Sequence, residues 1–160
     1  MMPTLFGRVS ARVGVVPIRS NRNAIQIKRA VVVEPSGFLA VGVGATLGAW
    51  LRWFLGLQLN ALWPLMPLGT LVANLLGGYA IGLVIGVIDR NATLPPEVRL
   101  GMVTGFLGGL TTFSTFSAEV VSRLASGELM GGVATIGMHV AGSLVLTALG
   151  FLTVRLVYGA

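Results

Sequence analysis

The sequence predicts an all-α membrane protein, a bundle of four transmembrane helices with a broken third helix. Three observations carry that prediction. Hydrophobic residues make up 54% of the chain and charged residues only 10%, against about 25% charged in a soluble domain, and the mean hydropathy is +0.88. The 160 residues contain four apolar stretches, each close to the ~20 residues that cross a bilayer core. The third of these interrupts itself with "GFLGGLTTFSTFS" at 105–117, where adjacent glycines precede five hydroxyl residues and two phenylalanines between Thr111 and Ser117.

The elements follow in order. Residues 1–35 hold no continuous apolar stretch and are read as a basic, disordered leader, with an organelle transit peptide or an upstream start codon as alternatives. Residues 36–160 form the four-helix transmembrane domain. Its first span is expected at 37–57, "GFLAVGVGATLGAWLRWFLGL", and the second at 67–88, opened by Pro67 in a position that suits a helix's first turn. The third is expected at about 97–123 and the fourth at 131–157. The loops "DRNATLPPE" and "LASGEL" are short, so the helices pack as close neighbours. Glycines recur four apart at Gly44 and Gly48, at Gly78, Gly82 and Gly86, and at Gly101, Gly105 and Gly109. Such stripes let helix backbones approach in lipid. They predict tight packing and carry no information about transport.

Charge and composition narrow the function. The net charge of +6 is concentrated in the leader, where Arg8, Arg12, Arg19, Arg22, Lys28 and Arg29 face Glu34 alone. A basic tail beside a membrane explains the high pI without a nucleic-acid partner. The bias would place the N-terminus in the cytoplasm, whereas without the leader both orientations are open. The absence of cysteine excludes disulfides and thiolate chemistry, and a single histidine, His139, cannot build a multi-histidine metal site. No nucleophile–base–orienter constellation is present, so an enzyme is not expected.

Polar residues inside the spans point to a pathway. Asn74 sits near the middle of the second span, and an amide there must face a helix or an aqueous cavity. Thr135, His139, Ser143 and Thr147 follow one another at i+4 and form one stripe of the fourth span. In the third span Gly108 and Gly109 are expected to weaken the helix, while the hydroxyls offer partners to freed backbone groups. Irregular backbone at membrane depth survives only when buried in protein or lining a cavity. A broken helix exposes carbonyls suited to a cation and amides suited to an anion. Phe113 and Phe116 share a face if helix resumes there, and phenyl rings carry positive edges that meet a small anion without trapping it.

At this point the residues resemble a known family. "GLTTFSTFS" at 109–117, preceded by Gly108 and followed by Glu119, is similar to the signature of the Fluc/CrcB fluoride channels. "GATLGAWLRW" at 44–53, "PLGTLVANLLGGY" at 67–79 and "GSLVLTALG" at 142–150 resemble the same family. The resemblance covers about 37–157 and excludes the leader.

It implies an antiparallel, dual-topology homodimer in the bacterial plasma (inner) membrane, with two fluoride pores lined by both subunits. It implies Asn74 as the pore-lining amide, Phe113 and Phe116 as the aromatic pair, and Ser114, Thr115 and Ser143 in polar tracks beside them. Gly108 and Thr111 would offer backbone carbonyls to a structural sodium ion (Na+) at the dimer interface, and Arg52 would lie near a pore mouth. Glu119 matches an acidic position of unassigned role. Two residues depart from the pattern: Trp53 stands where tyrosine is frequent, and His139 where a smaller residue is usual. A histidine facing the pore would add pH dependence, and one facing a neighbour would be a satisfied core residue. The basic leader conflicts with dual topology, because six cations oppose export of their end.

The function expected is passive, fluoride-selective export from the cytoplasm. The alternative is a small four-span proton-coupled exporter, for which Glu119 is the one candidate carboxylate. A fluoride/proton antiporter and a non-transporting scaffold are further rivals.

Overall fold

A computed structural model describes residues 34–63, 66–90 and 94–159. The leader therefore lies outside the described residues, apart from Glu34 and Pro35. The described residues are helical and contain no strand. Helix α1 spans Pro35–Leu59, with a proline in its first turn, where the missing N–H costs nothing. Helix α2 spans Leu68–Arg90. The third stretch is divided: α3 at Pro96–Leu100 runs on into a π-helical segment at Gly101–Leu107 and a last α-turn, α4, at Gly108–Leu110. Thr111 and Thr112 are extended, and helix resumes as α5 at Phe113–Ala125. Helix α6 spans Leu129–Tyr158. The α5–α6 turn uses Gly127 at φ 84°, a left-handed conformation open to glycine at no steric cost, and Arg123 bridges it to Glu128 at 3.0 Å.

Helices α1, α2 and α6 are each long and apolar enough to cross a membrane. Neither half of the third stretch is. Helix α5 has 13 residues, about 20 Å at 1.5 Å per residue, against a core of ~30 Å. Large apolar side chains such as Phe38, Trp50, Phe54 and Leu156 are exposed on the outside, an arrangement suited to lipid and costly in water.

The glycines explain the packing. Helix α1 lies along the π-helical segment, and α2 packs most extensively against α6. A Cβ added at Gly105 would come within 2.8 Å of the Val41 carbonyl and 3.1 Å of the Gly44 Cα. One at Gly150 would come within 3.0 Å of the Gly82 Cα. Backbone meets backbone at both contacts, as small-residue stripes permit. Ala73, Leu107 and Leu110 bury together where α2 meets the third stretch. This small core lies directly before the break.

The position of the break differs from the sequence expectation. Gly108 and Gly109 remain helical, and the chain leaves the helix at Thr111 and Thr112. The cause is tertiary. The Thr112 N–H donates to Asn74 Oδ1 at 2.7 Å instead of to the carbonyl one turn earlier, and Asn74 Nδ2 donates back to the Thr112 carbonyl at 3.0 Å.

Candidate ion pathway

Asn74 is the clamp of the site. Its oxygen and its nitrogen together hold the whole peptide face of Thr112, as a neighbouring strand would. Thr112 then caps the resumed helix: its Oγ1 accepts the Thr115 N–H at 3.1 Å, the usual role of threonine at a helix start. Its hydroxyl also donates to Thr115 Oγ1 at 2.9 Å and lies 3.3 Å from Ser114 Oγ. Thr111 turns its hydroxyl back to the Leu107 carbonyl at 2.9 Å.

Two carbonyls lose their helical donors through this arrangement. The Thr112 N–H, ordinarily the partner of Gly108, goes to Asn74. The Thr115 N–H, ordinarily the partner of Thr111, goes to the Thr112 hydroxyl. Gly108 and Thr111 are the same residues that the sequence resemblance associates with sodium. Unwound backbone carbonyls are hard oxygen donors of the kind that coordinate Na+, so the residues present fit that ion chemically. Gly108 is exposed on the single chain.

Two cavities have Thr112 in their walls. The first, of 340 Å³, is lined by Asn74, Phe113, Phe116, His139 and Ser143 together with Thr111 and Thr112. No carboxylate, lysine or arginine is on its wall. The second, of 460 Å³, is lined by Arg52, Asn60, Thr70, Thr112 and Thr115. Arg52 has no ion-pair partner among the described residues. Ser114 borders neither cavity and meets them only through Thr112.

The aromatic pair has a defined geometry. The rings of Phe113 and Phe116 lie 5.5 Å apart in an edge-to-face arrangement. Phe116 is 7% exposed and Phe113 is 79% exposed, so one ring is fixed inside the chain while the other projects from it. Phe116 also stacks at 4.7 Å on the His139 ring.

The polar stripe of α6 divides by position. Thr135 returns its hydroxyl to the Gly131 carbonyl at 2.8 Å, and Thr147 donates to the Gly78 carbonyl at 2.9 Å. These two serve helix packing. His139 and Ser143, between them, border the first cavity.

Sequence reasoning did not single out Thr112 as a site residue, although it is the one residue that borders both cavities and caps the helix between them. The signal available was its place three residues before Thr115, as an N-cap requires. Glu119 accepts the Thr70 hydroxyl at 2.6 Å, and its other oxygen is buried without a partner. It borders neither of the two cavities.

Comparison with known proteins identifies the family. The model of the family described as "CrcB-like protein, Camphor Resistance (CrcB)" matches residues 39–151. A fluoride-specific ion channel FluC of Ralstonia pickettii (strain 12J) is 63% identical over 119 residues, 74% of this chain and 94% of that protein. A protein of the same name from Cupriavidus taiwanensis is 59% identical over 122 residues, 76% of this chain and 97% of that protein. One from Pseudomonas putida (strain W619) is 55% identical over 121 residues, 76% and 95% of the two chains. The matched region takes in α1, α2, both halves of the third stretch and most of α6, and it makes this chain a multi-pass membrane protein that belongs to the CrcB family.

Proposed function

We propose that this chain is a fluoride-selective ion channel that lets fluoride leave the cytoplasm passively and so lowers its concentration and toxicity. The observation that carries the reading is a pair of cavities that share Thr112 in their walls, one carrying the Arg52 guanidinium and the other a largely apolar, ring-walled space that takes in Asn74, His139 and Ser143 and holds no fixed charge. The names of the relatives, all fluoride-specific ion channels, support the same ion.

Arg52 raises the local concentration of anions at one end. Beyond it, the Thr115 hydroxyl replaces part of the water shell, and the ring edges of Phe113 and Phe116 replace more of it. Each substitute is weak, and conduction needs binding that the ion can leave. Fluoride enters cells by diffusion as the neutral acid HF, which dissociates inside. An inside-negative potential is worth ~2.3 kcal/mol per charge per 100 mV, so an open pathway suffices for export and no pump is needed.

The architecture that fits is a four-span bundle in an antiparallel, dual-topology homodimer, in the plasma (inner) membrane of a bacterium. The support is the surface of the single chain. Thr104, Gly108, Phe113, Ser114 and Thr115 are exposed along the break, and broken backbone is not tolerated against lipid. A second copy would cover this face and complete the walls of two pathways. Gly108 and Thr111 of both copies would hold sodium through their carbonyl oxygens, and the ion supplies a positive charge that offsets clustered carbonyl dipoles. Residues 36–160 would constitute this channel domain, with 1–35 as a separate basic leader.

A proton-coupled exporter is the rival to exclude. It needs Glu119 to exchange protons, and Glu119 reaches the second cavity only indirectly, through the hydrogen bond it accepts from Thr70. Glu119→Gln protein in a planar bilayer without a proton gradient is expected to carry a steady fluoride current. A current lost with the carboxylate, or one that appears only when a proton gradient is imposed, would favour the exporter or an antiporter.

A further inference from the structure

The orientation of Asn74 has a consequence for His139 that follows from hydrogen-bond accounting alone. Asn74 Oδ1 receives the Thr112 N–H and Asn74 Nδ2 donates to the Thr112 carbonyl. Turning the amide over would set oxygen against oxygen and N–H against N–H, so the backbone of Thr112 fixes which way it points. The nitrogen of Asn74 therefore faces His139 Nδ1, 3.1 Å away. That nitrogen has only hydrogens to offer, and Nδ1 must accept. An accepting Nδ1 carries no proton, which makes the ring neutral with its proton on Nε2. Nε2 is buried and has no hydrogen-bond partner, in a side chain only 4% exposed.

The same accounting exhausts Asn74. One of its two amide hydrogens goes to the Thr112 carbonyl and the other to His139 Nδ1, leaving none for an ion. The structure thus moves the donor role that the sequence suggested for Asn74 onto the next residue in the chain of hydrogen bonds. Buried donors without partners are rare, and an ion or water that completes them is among the few explanations. His139 borders the cavity of Phe113, Phe116 and Ser143, and its ring stacks on Phe116. Nε2 itself has almost no accessible surface, so its unmet N–H stands just behind the ring edges and serine hydroxyl of that wall, a set complementary to a small anion with strong hydrogen-bond acceptance.

We infer that His139 is an anion-recognition residue of this channel: held by Asn74 as the neutral Nε2–H tautomer, it donates that N–H to fluoride that enters from the first cavity as the wall side chains give way. The inference rests on the fluoride-channel reading and deepens it. His139 touches the ion, while Asn74 acts through it as a positioning residue. Water occupying the same donor is the competing outcome. Water would complete Nε2 whether or not fluoride is present, whereas the ion makes the signal of that N–H depend on halide identity.

Because the chain contains one histidine, the test is unambiguous. The full chain labelled with ¹⁵N-histidine gives a single imidazole spin system. Without fluoride it should show a protonated Nε2 and an unprotonated Nδ1. Sodium fluoride should displace the Nε2–H signals in a saturable way, and sodium chloride at equal concentration should leave them in place. In proteoliposomes, His139→Leu should lower fluoride efflux by about tenfold, the effect of losing one hydrogen bond of ordinary net strength, and His139→Gln, which keeps an N–H, should recover part of it. A proton on Nδ1, or signals that fluoride does not move in a preparation whose unlabelled protein conducts, would overturn the inference and leave the channel reading standing. Wild-type protein that passes no fluoride would overturn both.

Discussion

Phe113→Ile and Phe116→Ile each lower fluoride efflux from proteoliposomes by about tenfold or more, the factor that accompanies ~1.4 kcal/mol at the highest point of the path. Isoleucine keeps most of the apolar volume and removes the ring, so the substitution isolates the electrostatics of the edge from packing. The two positions are not equivalent in the single chain. Phe113 is 79% exposed and can be replaced without opening a cavity inside its own chain. Phe116 is wedged between Phe113 and His139, so its variant loses stacking as well, and size-exclusion profiles and melting temperatures should be read beside the flux. Unchanged flux in both variants, with intact assemblies, would remove the rings from the pathway.

Asn74→Leu produces the second large effect. It strips the partner from the N–H of Thr112, a residue 6% exposed, at roughly 1–3 kcal/mol for a buried group left unpaired, and leaves the Thr112 carbonyl only its helical donor. If the Thr112 N–H finds the Gly108 carbonyl again, helix closes over the break and the pathway is lost with it. Flux therefore falls to background on either route, and the thermal stability of the purified protein falls when the N–H stays unpaired. Asn74→Asp keeps the acceptor for the Thr112 N–H while losing both donated bonds, and it should lie between Leu and wild type in melting temperature. Wild-type flux in Asn74→Leu would show that the clamp is dispensable.

The sequence was informative where local physics decides and silent where distant groups do. The first, second and fourth spans emerge within two or three residues of their observed ends, because uninterrupted apolar length and flanking prolines set them. The glycine stripes announced close helix packing but not its partners: Gly44 meets Gly105, and Gly82 meets Gly150, which belongs to none of the stripes. The break itself was legible as an excess of hydroxyls, but its position was not. The double glycine suggested Gly108–Gly109, and the chain departs at Thr111–Thr112 because Asn74, 38 residues away from Thr112, competes for one N–H. The π-helical Gly101–Leu107 leaves no local signature among residues that suit an ordinary helix equally well. His139 illustrates the limit most sharply. Its spacing placed it on a polar stripe, yet its tautomer depends on an amide 65 residues earlier, which is itself oriented by the peptide of Thr112. Of that stripe, Thr135 and Thr147 proved to serve packing, a distinction that spacing alone cannot make since threonine bonds its own helix as readily as it lines a path.

The central claim is that a broken third span, clamped by Asn74 and lined by aromatic edges, forms a passive pathway selective for fluoride. Its most direct test is halide efflux from liposomes carrying the purified full chain, loaded in parallel with fluoride or chloride and opened by a potassium ionophore with no proton gradient. Rapid release of fluoride with chloride retained is the result expected. Liposomes that hold fluoride as tightly as empty ones, or that release the two halides at the same rate, would contradict it.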